Sequence, residues 1–68
     1  MKKLDARGLS CPEPVVMIRK AMQSGEDAYE MIVDNHAAKE NVTRYAEHQG
    51  YTVTVTQEGS DVTLTMRK

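Results

Sequence analysis

The chain contains no tryptophan and no phenylalanine, and three tyrosines are its whole aromatic content. Proteins that stack bases or track a phosphate backbone need aromatic platforms or a basic field. A net charge of −1 supplies no such field, so direct nucleic-acid contact is not expected. One cysteine is present, which excludes an internal disulfide and leaves no resolving thiol for a disulfide cycle. Small secreted domains usually carry several cysteines, so the cytoplasm is the expected compartment. No apolar run approaches the roughly 20 residues of a membrane span, and the first residues lack a signal-peptide core. One cysteine and two scattered histidines lack the paired spacings of a zinc site. The four glycines form no phosphate loop or dinucleotide fingerprint. No metal and no cofactor are therefore expected. Sixty-eight residues read as one domain, 1–68, that buries only about 60% of its unfolded surface.

What is present is a clear periodic pattern. Lys2-Lys3-Leu4-Asp5-Ala6 alternates, with Leu4 and Ala6 on one side, and reads as a short strand. After an Arg7-Gly8 turn, a helix is predicted from Pro12 to about Gln23, with Val15, Ile18 and Met22 as its buried stripe. Ser24-Gly25-Glu26-Asp27 ends it. Ala28–Val33 reads as a second strand with Tyr29, Met31 and Val33 on one face. Asp34-Asn35 caps a second helix that runs to Gln49 and closes on Gly50. Ala38, Val42, Tyr45, Ala46 and Gln49 form its inward face, with Lys39, Glu40, Arg44 and Glu47 in solvent. Two alternating runs follow, Tyr51–Thr56 and Val62–Met66, joined by a turn over Gln57-Glu58-Gly59-Ser60-Asp61. The order is βαβαββ. Each strand has one apolar face, so a two-layer α/β sandwich with an open, threonine-rich sheet face follows.

The chemistry concentrates at Cys11-Pro12-Glu13-Pro14. A helix starting on Pro12 makes Cys11 its cap residue, because the first helical position has no use for an N–H. First-turn N–H groups and the helix dipole favour thiolate over thiol there. A buried structural cysteine is the competing reading; the helix start beside a glycine turn, with Arg7 and Ser10 close in sequence, argues against it. Glu13 complements the dipole and is expected to face solvent or a partner. Val16 and Met17 could form a small apolar patch beside the thiol. Cysteine hydrolases need a base within hydrogen-bond reach. His36 and His48 lie about 18 Å apart along the second helix, and His36 reads as a surface histidine. What remains is a thiolate that accepts one group and hands it on, and sulfane sulfur suits it, since a persulfide is a stabilised anion.

The pattern Asp5-x-x-Gly8-x-x-Cys11-Pro12-x-Pro14 resembles the signature of the TusA/SirA-like sulfur-carrier family. The likeness covers essentially the whole chain, including the aspartate that ends the second strand. The stretch Asp34–Val42 is most similar to the N-terminal domain of YedF-type proteins, which are associated with selenium metabolism. His36 stands where that family usually has proline, and these 68 residues correspond to one of the two domains typical of YedF-type proteins. The resemblance implies a mixed four-stranded sheet with both helices on one face. It implies that Cys11 is the catalytic residue, carrying persulfide sulfur, with Asp5, Gly8, Pro12, Glu13 and Pro14 as motif and supporting residues. It also implies two protein partners, a donor such as a pyridoxal-phosphate cysteine desulfurase and an acceptor. The alternative is a regulatory or binding module that uses the Cys-Pro loop as a recognition surface without covalent chemistry.

Overall fold

Alternating apolar residues decide which side of each strand is covered. The computed structural model describes residues 2–10 and 12–68. Its elements are β1 (Lys2–Asp5), α1 (Glu13–Met22), β2 (Ala28–Val33), α2 (His36–His48), β3 (Thr52–Glu58) and β4 (Asp61–Arg67). The sheet order is β1-β2-β4-β3. β1 and β2 are parallel, and the other neighbours are antiparallel. The mixed four-stranded sheet and the βαβαββ order agree with the sequence reading, and both helices lie on one face.

The two central strands hold the core. Their register sets Tyr29 against Met66, Met31 against Leu64, and Val33 against Val62. All six side chains are buried. Ile18 and Ala21 of α1, and Ala38, Val42 and Ala46 of α2, close over them. Full burial of a side chain the size of Ile18 or Leu64 contributes about 1.5–3 kcal/mol. Two tyrosines do the work that phenylalanine does elsewhere. The Tyr29 and Tyr51 rings meet edge to face, 5.8 Å apart. The Tyr29 hydroxyl accepts from the Glu26 N–H at 3.0 Å and pairs with Ser24 Oγ at 3.1 Å. Tyr51 donates its hydroxyl to the Glu26 carbonyl at 3.2 Å, so the loop after α1 is pinned to the core.

Helix α2 has the expected ends. The Asn35 side chain accepts from the Ala38 N–H at 2.8 Å, and it is Asn35, not Asp34, that acts as the cap. At the other end Gly50 has φ +89°. Gly50 and Tyr51 donate their N–H groups to the Glu47 and Ala46 carbonyls, a Schellman closure that needs a left-handed residue.

Four sequence expectations change. The cap of α1 is Pro12 and the helix starts at Glu13, one residue later than expected. Its buried stripe is Pro14, Ile18 and Ala21, while Val15 and Met22 only flank the core. Gln49 is exposed at the helix end rather than inward-facing. The β3–β4 hairpin turns on Gly59 and Ser60 alone, with Glu58 paired to Asp61. Gly59 has φ +63° and Ser60 does not enter the left-handed region, the arrangement of a type II′ turn. No helix among the described residues is long and apolar enough to cross a membrane.

Candidate functional site

The segment between β1 and α1 is short, and its backbone must turn sharply to reach the helix. Several of its described residues are held by hydrogen bonds. The Ala6 N–H donates to the Ile32 carbonyl at 2.8 Å, extending the β1–β2 pairing by one residue, and Ala6 is fully buried. Asp5 then holds Arg7. Its Oδ1 accepts from both the Arg7 backbone N–H and Nε at 3.0 Å, and its Oδ2 accepts from Nη2 at 2.9 Å. The remaining arm of the guanidinium, Nη1, reaches Asp61 Oδ2 at 3.1 Å. Arg7 therefore joins the end of β1 to the start of β4, across β2.

These bonds set the electrostatics. The Arg7 side chain, and next its backbone N–H, hold the Asp5 carboxyl at about 2, below its ordinary 3.8. Asp5 and Asp61 push the Arg7 guanidinium upward in turn. The arginine is thus committed to two carboxylates. Its part is in shaping the loop.

Gly8 follows with φ +78°, a conformation that costs an L side chain. Its N–H donates to Asp34 Oδ2 at 2.8 Å. Asp34 directly follows β2, so the glycine turn is tied to the end of the interior strand that leads into α2. Leu9 packs against the core. The Ser10 carbonyl accepts from the Glu13 N–H at 2.9 Å, and the Pro12 carbonyl accepts from the Val16 N–H at 3.0 Å.

Cys11 lies outside the described residues; its neighbours on both sides are described. Pro12 is exposed, Glu13 is exposed as expected, and Pro14 is among the fully buried side chains. Pro14 is therefore an anchor that fixes the helix start on the core. The two prolines have no N–H, and that of Glu13 is taken by Ser10. The first turn offers fewer amide donors than the sequence reading supposed, which leaves the helix dipole as its main favour to an anion. Met17 packs on the core and Val16 is half-buried, so neither forms the open apolar patch suggested from sequence.

His36 is exposed and pairs with Glu40 one turn along α2, at 2.9 Å, as a surface histidine does. The second histidine takes a place that sequence reasoning missed. A groove of about 540 Å³ runs between the helices beside Pro12, lined by Pro12, Val15, Tyr45, Arg44 and His48 among others. The signal was available: Arg44, Tyr45 and His48 follow Asn41 at helical spacing, one stripe over from the buried face.

Comparison with known proteins agrees along the whole chain. The family model described as Sulfurtransferase TusA matches residues 2–68. A protein of Methanocaldococcus jannaschii, named as a candidate sulfur carrier, is 44% identical over 61 residues, covering 85% of this chain and 80% of the relative. The crystal structure of a SirA-like protein from Desulfitobacterium hafniense matches with a TM-score of 0.89 at 30% identity, covering 98% of this chain and 96% of the other.

Proposed function

The chain belongs to the sulfurtransferase TusA family, and on that footing we propose that Cys11 accepts sulfane sulfur and relays it to a partner protein. In the first step the Cys11 thiolate attacks the outer sulfur of a donor protein's persulfide. A new S–S bond forms to Cys11, the donor's S–S bond breaks, and the donor leaves as a thiolate with the electron pair. An acceptor thiolate then repeats the exchange on the Cys11 persulfide, and Cys11 returns as thiolate. No external oxidant is needed, because the sulfur moves without change in its oxidation state.

The observation that carries this reading is a family match spanning residues 2–68. The loop before Cys11 supports it. Asp5, Gly8 and Asp34 restrain the turn through the bonds to Arg7 and Gly8, and buried Pro14 fixes the helix that follows. Pro12 and exposed Glu13 stand beside the thiol in sequence, where a partner would meet them. A family of sulfur carriers calls for protein partners, and a pyridoxal-phosphate cysteine desulfurase suits the donor chemistry.

Incubation with a cysteine desulfurase and cysteine should add one sulfur atom's mass to the intact protein, and Cys11→Ser should abolish the gain. Absence of any adduct with several donors would overturn the reading. The likeness of Asp34–Val42 to YedF-type domains makes selenium a second cargo, which the same mass measurement reads when selenocysteine replaces cysteine as the substrate. The groove beside Pro12 favours one further alternative, a recognition module without covalent chemistry. That alternative requires Cys11→Ser to retain partner binding and cellular function.

A further inference from the structure

The two edges of the sheet are built differently. β1 is four residues long, and Lys2, Lys3 and Asp5 give it charges of both signs. Short, charged edges resist pairing with another chain. β3 is seven residues long, Thr52-Val53-Thr54-Val55-Thr56-Gln57-Glu58, and carries no charge before its last position. It has no proline and no lysine, and each residue pairs one-for-one with β4 from Thr52 to Glu58, so no bulge twists it away. Among the described residues Val55 is the large apolar side chain left exposed, at 41%.

We propose that β3 is a pairing edge for a second copy of this chain, joining two sheets antiparallel about a twofold axis through Thr54. The run Thr52-Val53-Thr54-Val55-Thr56 reads the same in both directions. Such an axis sets Val53 opposite the partner's Val55, and Thr52 opposite the partner's Thr56. The valines meet on the helix-covered face and the threonines on the open face. β-branched pairs of this kind stabilise antiparallel neighbours, and no like charges face each other.

The backbone phase agrees. Glu58 and Asp61 close a two-residue hairpin and form its hydrogen-bonded pair, and hydrogen-bonded pairs alternate along an antiparallel ladder. Thr52, Thr54 and Thr56 therefore bond toward β4, while Val53 and Val55 turn their N–H and C=O groups outward. Those are the groups that the twofold register sets against each other, each pair exchanging both of its bonds. β1 and β3 lie at opposite edges. The pairing thus leaves the Gly8–Ser10 turn, which leads out of β1 at the far edge, uncovered.

A single strand pair buries well under about 1,000 Å², so the association is weak and reversible. Sedimentation equilibrium up to about 1 mM protein, a range suited to weak affinities, should show a monomer–dimer equilibrium. Hydrogen exchange should slow at Val53 and Val55 as concentration rises. Val55→Lys, with its fold checked by circular dichroism, should weaken dimerisation at least tenfold, and high salt should recover part of the loss by screening the repulsion between the two lysines, which lie diagonally across the axis. A monomer throughout the range would overturn the proposal. So would a dimer that Val55→Lys leaves unchanged, or concentration-dependent protection at β1 in place of β3.

Discussion

Replacing Gly8 with L-alanine isolates the cost of one left-handed residue. Gly8 has φ +78°, and a Cβ there would meet nothing within 4 Å. No steric clash therefore enters the comparison. The bond to Asp34 is made by the backbone N–H, so the substitution need not break it. What remains is the handedness penalty, about 1–2 kcal/mol for an L residue. It is offset in part by the lower freedom of alanine in the unfolded chain, about 0.4–1 kcal/mol. The expected net loss is about 1 kcal/mol, and a domain of this size would show it as a Tm lower by roughly 4–8 °C. D-alanine at the same position supplies the control, because a positive φ is its natural region. It keeps the unfolded-state gain without the penalty, so it should match or exceed glycine. Urea unfolding of the three synthetic proteins, at constant slope, reads the differences directly. Equal stability of the two alanine epimers would refute the argument, as would an L-alanine protein no less stable than the parent.

The Asp5 carboxyl gives a pH signature. Its folded value of about 2 lies below the ordinary 3.8, so its contribution is complete above 3.8 and is lost as the pH falls toward 2. Asp5→Asn should flatten the stability profile across that window, and added salt should shrink the difference because the pair is exposed; parallel profiles for parent and variant would exclude the linkage. Tyr29→Phe removes a buried hydroxyl that serves Glu26 and Ser24. Leaving those partners unpaired should cost about 1–2 kcal/mol, and an unchanged urea midpoint would show that water replaces them.

The central strands were legible because β2 and β4 alternate, Ile32 excepted, and one register buries Tyr29, Met31, Val33, Val62, Leu64 and Met66 on one side. The capped ends of α2 were legible for a local reason: Asn35 and Gly50 act on groups within four residues of themselves. The α1 stripe was not. Val15-Ile18-Met22 and Pro14-Ile18-Ala21 both satisfy helical spacing, and the choice rests on the angle at which Pro14 enters the core. The hairpin length depended on whether Glu58 and Asp61 would pair across the sheet, which their polarity conceals. At the candidate site, Asp5, Gly8 and Pro14 were visible as a motif, but their reasons were not. The bond from Arg7 to Asp61 joins residues 54 positions apart, and the one from Gly8 to Asp34 crosses from one turn to another. Neither leaves a local trace in the chain.

The placement of β4 between β2 and β3 has a consequence for how the molecule assembles. An interior strand follows both of its sheet neighbours in the chain, so the sheet lacks the ladders on either side of β4 until residues 61–67 are available. Up to that moment β2 and β3 have no strand to join them, and the apolar faces of both helices have only half a floor to rest on. Closure of the sheet therefore waits for β4, and Arg7 gains its second carboxylate only when Asp61 arrives.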